Sequence, residues 1–325
     1  MILIISSVED VHVSPVTRHL DRLGVAHCII DPARQPDKSF LEARAGRGRY
    51  RAGISGSAKE DRAFSKATAI WHRRPTSPGQ IPDPFLPSIA RYVSSNRRAV
   101  YVGSMNQLPG SWLPARPAVQ DKAGNKVYHL SVATALGFVV PLTRITTDPQ
   151  ALPEMFSRSR TGIIIKSLMP FVDERNGNLV FTQAVNRRDL RRYRGLRHSP
   201  MIVQERVHKR TELRITVVGE EVFAAEIDSQ ASPRTLVDFR HGSHQIEHRV
   251  HQLPAAEARR CVELTKNLGL CFGAIDMILT PQGKYVFLEI NPNGQWLWIE
   301  NTTGMPIAEA VAQLLIRLSK SGRAV

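Results

Sequence analysis

Residues 285–293 read YVFLEINPN, and residues 273–279 read GAIDMIL. Both stretches have the pattern of strands, and the polar, glycine-containing segment between them predicts a hairpin turn. A hairpin would bring Asp276, Glu289 and Asn291 to one face of a sheet. Two carboxylates and an amide oxygen form a hard, all-oxygen set that suits Mg²⁺ held together with phosphates. The pattern therefore favours a metal site over a pair of ordinary strand-end acids.

Cationic residues elsewhere in the chain have the placement that phosphate binding requires. Lys166 ends a run of three isoleucines, where a lysine is costly unless an anion or acid pairs with it. Lys126 lies in a separate helix-compatible stretch at 121–136, and Arg214 closely follows Glu212. Transfer of a phosphoryl group requires several cations around the β- and γ-phosphates together with Mg²⁺. A solvated or snorkelling side chain is the alternative for each lysine taken alone.

Motifs of other nucleotide-binding and metal-binding classes are missing from the sequence. It contains no GxxxxGK[ST] loop and no GxGxxG after a strand, which argues against a P-loop enzyme and a dinucleotide-binding fold. His241, His244, His248 and His251 have a spacing that suggests zinc. However, Gly242 and Ser243 interrupt the pattern and no cysteine joins it, so surface or substrate-side histidines are favoured.

The order of the predicted elements divides the chain into three α/β segments. Their boundaries are 1–112, 113–200 and 201–325. The first has a strand–helix–strand rhythm, and the third has two hairpins and an amphipathic helix. In the second, residues 171–185 predict a hairpin that turns at Asn176-Gly177, and the strongly basic residues 186–197 predict a helix.

Composition restricts the class of protein further. The 325 residues carry 44 Lys+Arg and 29 Asp+Glu, a net charge of +15. Such a charge attracts nucleotides, nucleic acid, anionic lipid or an acidic peptide, and solubility alone is the alternative. The opening MILIISSVEDV lacks a basic n-region and predicts a first strand instead of a signal peptide. Cys28, Cys261 and Cys271 are widely spaced in apolar settings, so we expect reduced thiols and a cytoplasmic protein without a membrane span.

In their order along the chain, these motifs resemble those of the ATP-grasp ligases. The motifs are Lys126, Lys166, Gln204-Glu205-Arg206-Val207, Glu212-Leu213-Arg214, Asp276 and Glu289-Ile290-Asn291. Further motifs resemble those of the maturases of graspetides, the microviridin-type peptides. These are Ile70-Trp71-His72-Arg73-Arg74-Pro75, Glu226-Ile227-Asp228-Ser229-Gln230, Asp238-Phe239-Arg240 and the run EINPNGQWLWIE. The residues of the Ile70–Pro75 motif suggest no chemistry by themselves.

The resemblance implies a fold and roles for individual residues. A pre-ATP-grasp domain would span 1–112, an ATP-grasp central subdomain 113–200, and a C-terminal subdomain with the magnesium site 201–325. The implied nucleotide-binding residues are Lys126 and Lys166 for the phosphates, Gln204, Glu205, Arg206 and Val207 for adenine, and Glu212 for the ribose. Arg214 and Lys166 would be catalytic, and Arg214 would neutralise charge in the transition state. Asp276, Glu289 and Asn291 would hold Mg²⁺ or Mn²⁺. Asp228, Asp238 and Arg240 are acceptor-side candidates, with a structural ion pair as the alternative.

The resemblance also implies the reaction and the partner. An ATP- and Mg²⁺-dependent ligase would activate a peptide carboxylate as an acyl phosphate and join it to a hydroxyl or amine side chain. The partner would be a ribosomally made precursor peptide, and the basic segment 186–197 stands where maturases dock its leader. A ligase that adds a free amino acid to a carboxylate is the alternative. A nucleic-acid-binding protein would leave the motif residues without a function, and a homodimer is left open.

Overall fold

A computed structural model of the chain describes most of its residues. The described residues are 1–7, 9–32, 40–46, 49–55, 64, 66–75, 86–169, 171–173, 178–191, 193–233, 235–241 and 246–321. The predicted turn at Asn176-Gly177 lies outside them, although the strands on either side pair in antiparallel fashion as a hairpin requires. Across this part of the chain, the helices are all too short or too polar to cross a bilayer.

The first segment forms a parallel sheet. Its strands are β1 (Ile2–Ile5), β2 (His27–Ile30), β3 (Phe40–Gly46), β4 (Arg49–Ser55), β5 (Ala69–His72) and β6 (Ser111–Leu113), and its helices are α1 (Val13–Arg22) and α2 (Pro87–Gln107). The parallel strands lie in the order β2-β1-β5-β6, and β3 and β4 form a separate hairpin. All four residues of β1 are fully buried, as expected of a parallel strand that is covered on both faces.

The second segment contains an antiparallel sheet and three helices. The strands are β7 (Thr143–Thr146), β8 (Ile163–Ser167), β9 (Val172–Asp173), β10 (Asn178–Leu179), β11 (Gln183–Ala184) and β12 (Met201–Glu205). The helices are α3 (Pro117–Gly124), α4 (Lys126–Ala135) and α5 (Ala151–Arg158). The main sheet has the order β11-β8-β12-β7. Leu152 and Met155 of α5 pack on Ile163 and Val203 of this sheet.

The third segment forms a five-stranded antiparallel sheet. The strands are β13 (Thr211–Val218), β14 (Glu221–Ile227), β15 (His248–Val250), β16 (Phe272–Leu279) and β17 (Tyr285–Asn291), and their order is β15-β14-β13-β16-β17. The helices are α6 (Ala255–Asn267), α7 (Leu297–Thr303) and α8 (Ile307–Ser321). Helix α6 covers one face of the sheet through Cys261 and Leu264, which pack with Ile215 and Ile275.

The last helix joins the first segment to the third. Helix α8 packs against α1, β5 and β6 and also against β13. Its residues Ile307 and Val311 share one apolar core with Ile2 and Ile4 of β1. The first sheet therefore has a fixed position relative to the sheet that carries the acidic motif. The mixed α/β fold agrees with the sequence prediction, while the division into three domains stays a prediction.

Two helix predictions need correction. The described residues of 186–197 do not form an α-helix but two short 3-10 turns, Asp189–Arg191 and Tyr193–His198. A continuous helix is disfavoured because the arginines of this stretch recur three and four residues apart, where like charges repel, and because Gly195 lies in its interior. The stretch 121–136 is divided at Asn125, whose side chain caps the start of α4.

Candidate active site

Three charged side chains stand side by side across the sheet of the third segment. Arg214 on β13 is opposite Asp276 on β16, and Asp276 is opposite Glu289 on β17. Because directly opposed residues point to the same face of a sheet, the three side chains form one row. The residues that follow Arg214 and Glu289 in the sequence, Ile215 and Ile290, point to the other face and are buried in the core. Because apolar and charged residues alternate in the sequence, one face of the sheet carries the charged row and the other face packs in the apolar core.

Each carboxylate of the row is paired with a cation from another element. Arg214 Nη1 lies 3.1 Å from Asp276 Oδ1, and Lys126 Nζ lies 2.9 Å from Glu289 Oε2. Lys126 is the first residue of α4, so the cap at Asn125 fixes the point from which this lysine reaches the sheet. The structure thus joins residues of the second and third segments in one cluster.

Lys166 approaches the same cluster from β8. It is half-buried, and burial lowers the pKa of its ammonium group, with Lys126 and Arg240 acting in the same direction and Glu289 opposing them. Lys166 is therefore close enough to Glu289 for their charges to attract, whereas Lys126 forms an ion pair with it. Two cations predicted from distant parts of the sequence converge on one carboxylate, and a multiply charged anion would be well placed between them.

The pKa values of Asp276 and Glu289, the two carboxylates of the row, are shifted in opposite directions. Burial raises the pKa of Asp276, and the nearby charges of Glu289 and Glu212 add to this effect while Arg214 opposes it. Burial also disfavours the charged form of Glu289, but the attraction of Lys126 and Lys166 outweighs it and lowers the pKa. Two neighbouring carboxylates that repel each other form a site that a divalent cation would stabilise.

The predicted adenine-contacting segment lies at the end of β12. Gln204 is buried, and its Nε2 donates a hydrogen bond of 2.8 Å to Thr143 Oγ1. Its Oε1 is buried and has no hydrogen-bond partner among the residues that the structure describes. The backbone N–H groups of Glu205 and Arg206 donate to neighbouring backbone carbonyls, and Val207 is half-buried. Gln204 Oε1 is thus an acceptor that a bound amino group could satisfy.

Glu212 has a partner that sequence reasoning missed. Lys209 Nζ lies 2.7 Å from Glu212 Oε1 and 3.0 Å from the carbonyl of Val237. Both side chains of the pair are 9% exposed. Glu212 lies two residues before Arg214 on β13, so its carboxylate faces the same side of the sheet as the row. The spacing of three residues in KRTE was the only signal in the sequence for this ion pair.

Of the acceptor-side candidates, Asp238 and Arg240 form an ion pair. Arg240 Nε donates a hydrogen bond of 2.8 Å to Asp238 Oδ1, and the guanidinium lies over the ring of Phe181. The Asp238 carboxylate raises the pKa of Arg240, and the charges of Glu289 and Asp276 raise it further, so Arg240 faces the cluster. Asp228 is exposed at the end of β14 and makes no hydrogen bond or ion pair with this pair in the described part of the chain.

An aromatic side chain lines the site next to Arg214. The guanidinium carbon of Arg214 lies 5.9 Å from the centre of the Trp298 ring. The Trp298 ring also packs against Phe239 and meets the His248 ring edge-on. A cation held over an aromatic face loses freedom of movement, so Trp298 restricts the orientation of Arg214.

The histidine cluster divides between two environments. His251 Nδ1 lies 2.7 Å from Glu226 Oε1, and its Nε2 lies 3.0 Å from the hydroxyl of Tyr285. His248 packs on Trp298, and His244 lies outside the described residues. Within the described stretches, no three His, Cys, Asp or Glu side chains are grouped so as to hold a metal ion.

Comparison with known proteins identifies the family. The model of the RimK-like ATP-grasp domain matches residues 123–315, which is more than half of the chain. The chain therefore belongs to the RimK-like ATP-grasp family, and it is an ATP-dependent ligase. No curated protein sequence matches the chain.

Within this family the chain resembles the graspetide maturases. It is similar to the macrocyclase MdnC from Microcystis aeruginosa, crystallised with precursor peptide MdnA, with 31% identity and a TM-score of 0.85 over 97% of this chain and 99% of that chain. A RiPP-associated ATP-grasp ligase from Chryseobacterium gregarium, in complex with ADP and a leader and core peptide, has 27% identity and a TM-score of 0.84 over 97% and 96%. The macrocyclase MdnB from Microcystis aeruginosa has 26% identity and a TM-score of 0.78 over 97% and 98%.

Proposed function

We propose that the chain is an ATP- and Mg²⁺-dependent ligase that forms ester or amide cross-links between side chains of a ribosomally made peptide. The observation that carries the ligase chemistry is the row of Arg214, Asp276 and Glu289, with Lys126 paired to Glu289 and the charge of Lys166 acting on the same carboxylate. Support for a peptide substrate comes from the full-length similarity to MdnC and to the Chryseobacterium ligase, whose structures contain peptides.

The donor groups of the site fit ATP and Mg²⁺. Asp276 and Glu289 repel each other across adjacent strands, and Asn291 adds an amide oxygen at the end of β17. These oxygens would hold Mg²⁺, which would draw negative charge from the phosphates when it is bound. The unpartnered Oε1 of Gln204 fits the exocyclic amino group of adenine. Glu205, Arg206 and Val207 would line the adenine site, and Glu212 would bind the ribose hydroxyls.

The cations would act on the phosphates. Lys126 and Lys166 would bind the phosphate oxygens. Lys126 would leave its ion pair with Glu289 because the phosphates carry more negative charge than one carboxylate. Arg214, restricted by Trp298, would stabilise the negative charge of the phosphoryl group during its transfer. In this proposal, the protein contributes position and charge compensation, and the reactive groups come from ATP and the peptide.

The proposed reaction consists of two successive displacement steps. An oxygen of an Asp or Glu carboxylate in the peptide attacks the γ-phosphorus, the bond to ADP breaks, and an acyl phosphate forms. A Thr, Ser or Lys side chain of the same peptide then attacks the acyl carbon and expels phosphate, which takes up the proton that the nucleophile loses. The peptide loses one water for each link while ATP becomes ADP and phosphate.

The acceptor side would be formed by basic groups. Arg240 is held by Asp238 and faces the acidic row, so it would steer a substrate carboxylate toward the phosphates. Asp228, which is exposed just after β14, would contact the peptide on this side. The basic residues of segment 186–197, including the exposed Arg187 and Arg188, would attract an acidic leader.

Mass spectrometry tests this proposal. The protein is incubated with ATP, Mg²⁺ and a short peptide rich in Thr, Asp and Glu from a reading frame adjacent to its gene. We expect the loss of one water per link, with a matching amount of ADP, and neither change with Glu289→Ala. An unchanged peptide mass together with ADP formation on addition of free amino acids would favour an amino-acid ligase. No ADP under either condition would refute the catalytic assignment.

A further inference from the structure

The segment after Asn291 is held by the first segment of the chain. Arg73 Nη1 donates hydrogen bonds of 2.7 Å and 3.0 Å to the backbone carbonyls of Asn293 and Gly294. Arg74 Nε donates a further bond of 3.1 Å to the Asn293 carbonyl. The Asn293 side chain donates to Gln120 Oε1 of α3. We refer to residues 291–296 as the acidic-motif loop, and its main chain is thus fixed by residues far away in the sequence.

A buried network supports Arg73. Arg73 is 1% exposed, and its Nε lies 3.2 Å from Asp10 Oδ2. Asp10 Oδ1 is bound to His12 Nδ1 at 2.7 Å, and His12 Nε2 accepts a hydrogen bond of 3.2 Å from the backbone N–H of Trp296. His12 must therefore carry its proton on Nδ1, because Nε2 acts as an acceptor. The network binds the acidic-motif loop in its middle, at Asn293 and Gly294, and at its last residue, Trp296.

The network of Arg73, Asp10 and His12 lies at one edge of the first sheet, where its parallel strands end. Asp10 and His12 follow β1, and Arg73 follows β5, so all three lie at the carboxyl ends of two adjacent parallel strands. The chain leaves β1 toward β2 on one side, whereas β5 lies on the other. Such a switch point is where an open α/β sheet ordinarily binds a ligand. In this protein, the acidic-motif loop of the third segment occupies that place.

The anchored backbone is connected to the proposed metal ligand by one bond. The Asn293 N–H donates a hydrogen bond of 3.1 Å to Asn291 Oδ1, and the carbonyl of the same Asn293 is the acceptor for Arg73 and Arg74. On the other side, the loop lies so close to β16 that a Cβ on Gly294 would overlap the Cβ of Ala274. The backbone that holds the Asn291 carboxamide is therefore fixed from both sides.

We propose that Arg73, supported by Asp10, is a positioning residue for the magnesium-binding carboxamide of Asn291. The proposal rests on the magnesium site proposed above. Arg73 touches neither the nucleotide-binding residues nor the acidic row, and it acts through the Asn293 backbone. The first segment thereby supplies part of the rigidity of the metal site. Substitution of residues that hold metal ligands in place typically lowers metal affinity by about 10–100-fold.

Hydrogen exchange of the full-length protein, without metal or nucleotide, tests the anchoring. Arg73→Ala and Arg73→Lys are compared with wild type, since a lysine in place of Arg73 would keep the charge beside Asp10 but lose the fork that reaches two carbonyls. Arg116→Ala is the matched control, because Arg116 also donates to two backbone carbonyls, those of Asn106 and Leu108. We expect peptide 289–298 to exchange about tenfold faster in both Arg73 variants, and no change in the control.

Binding of Mn²⁺ tests whether loss of the Arg73 contacts weakens the proposed metal site. Mn²⁺ is titrated into each variant with ADP present, and the free ion is followed by its paramagnetic signal. We expect Mn²⁺ to bind about tenfold more weakly in Arg73→Lys, while ADP affinity without metal stays within about twofold. Equal Mn²⁺ affinity, or an equal exchange rate in peptide 289–298, would overturn the proposal. Neither measurement needs the peptide substrate, so absence of cross-linking in wild type would refute the proposed function and leave this inference standing.

Discussion

The buried carboxylate of Asp10 leads to a quantitative prediction for the change Asp10→Asn. Burial disfavours the charged form, but the hydrogen bond from His12 and the charge of Arg73 outweigh it and lower the pKa from 3.8 to about 2. The unfolded chain therefore binds this proton more readily than the folded protein does. The resulting stability is complete above about pH 5 and is lost as the pH falls through about 2.

The size of the effect follows from the shift. Each pKa unit corresponds to about 1.4 kcal/mol, so ionised Asp10 contributes about 2.5 kcal/mol to the free energy of unfolding at neutral pH. Asp10→Asn removes this contribution at neutral pH, and it also leaves Arg73 buried without an anion. The difference in stability between wild type and Asp10→Asn should therefore shrink by about 1 kcal/mol between pH 7 and pH 3 and by about 2 kcal/mol by pH 2.

Urea unfolding at a series of pH values measures this difference, with tryptophan fluorescence as the signal. Asp21→Asn is the matched control, since the Asp21 carboxylate lies in the same segment and is 68% exposed. The control should follow the wild-type dependence on pH. A difference between wild type and Asp10→Asn that stays constant from pH 7 to pH 2 would refute the reasoning, because it would show that Asp10 is not held ionised by the network.

Three further substitutions test other parts of the site. Arg214→Met should lower turnover by about 10²–10³ with ATP affinity changed only a few-fold, because the guanidinium acts mainly on the charge of the transition state; ADP release at saturating ATP measures this, and turnover within about threefold would contradict it. Lys209→Met should destabilise the protein by about 3–5 kcal/mol by leaving Glu212 buried and unpaired; urea unfolding should show that adding Glu212→Gln restores most of the loss, and a single variant as stable as wild type would contradict the ion pair. Gly294→Ala should displace the acidic-motif loop from Ala274 and weaken Mn²⁺ binding about tenfold, and unchanged binding in the titration would contradict the close packing.

Local sequence patterns were sufficient to predict the two hairpins of the sheet that carries the acidic row, but not the pairing of one hairpin with the other. Alternation of apolar and charged residues indicated which face each side chain takes, and a turn between two strands indicated the hairpin. This is why Asp276 and Glu289 were expected to be neighbours, and the strand register places them opposite each other. Alternation along β13 indicates the face that Arg214 takes, and the pairing of β13 with β16 in the structure places it beside Asp276.

Contacts between distant segments could not be predicted in the same way. Arg73 belongs to a motif that suggested no chemistry, because its partners are backbone carbonyls, and every residue has one. The ion pair of Lys126 with Glu289 depends on how two segments pack, which no local pattern specifies. The helix expected over 186–197 was wrong because arginines three and four residues apart would repel each other along a helix and Gly195 has a low helix propensity.

The proposed reaction requires that the protein activate a peptide carboxylate as an acyl phosphate. The most direct measurement places a heavy oxygen isotope in the Asp and Glu carboxylates of the substrate peptide and follows it by mass spectrometry during the reaction with ATP and Mg²⁺. We expect one labelled oxygen to appear in inorganic phosphate for each water lost from the peptide. Cross-linked peptide accompanied by unlabelled phosphate would contradict this mechanism, because the carboxylate oxygen would then have left without being bonded to the γ-phosphorus.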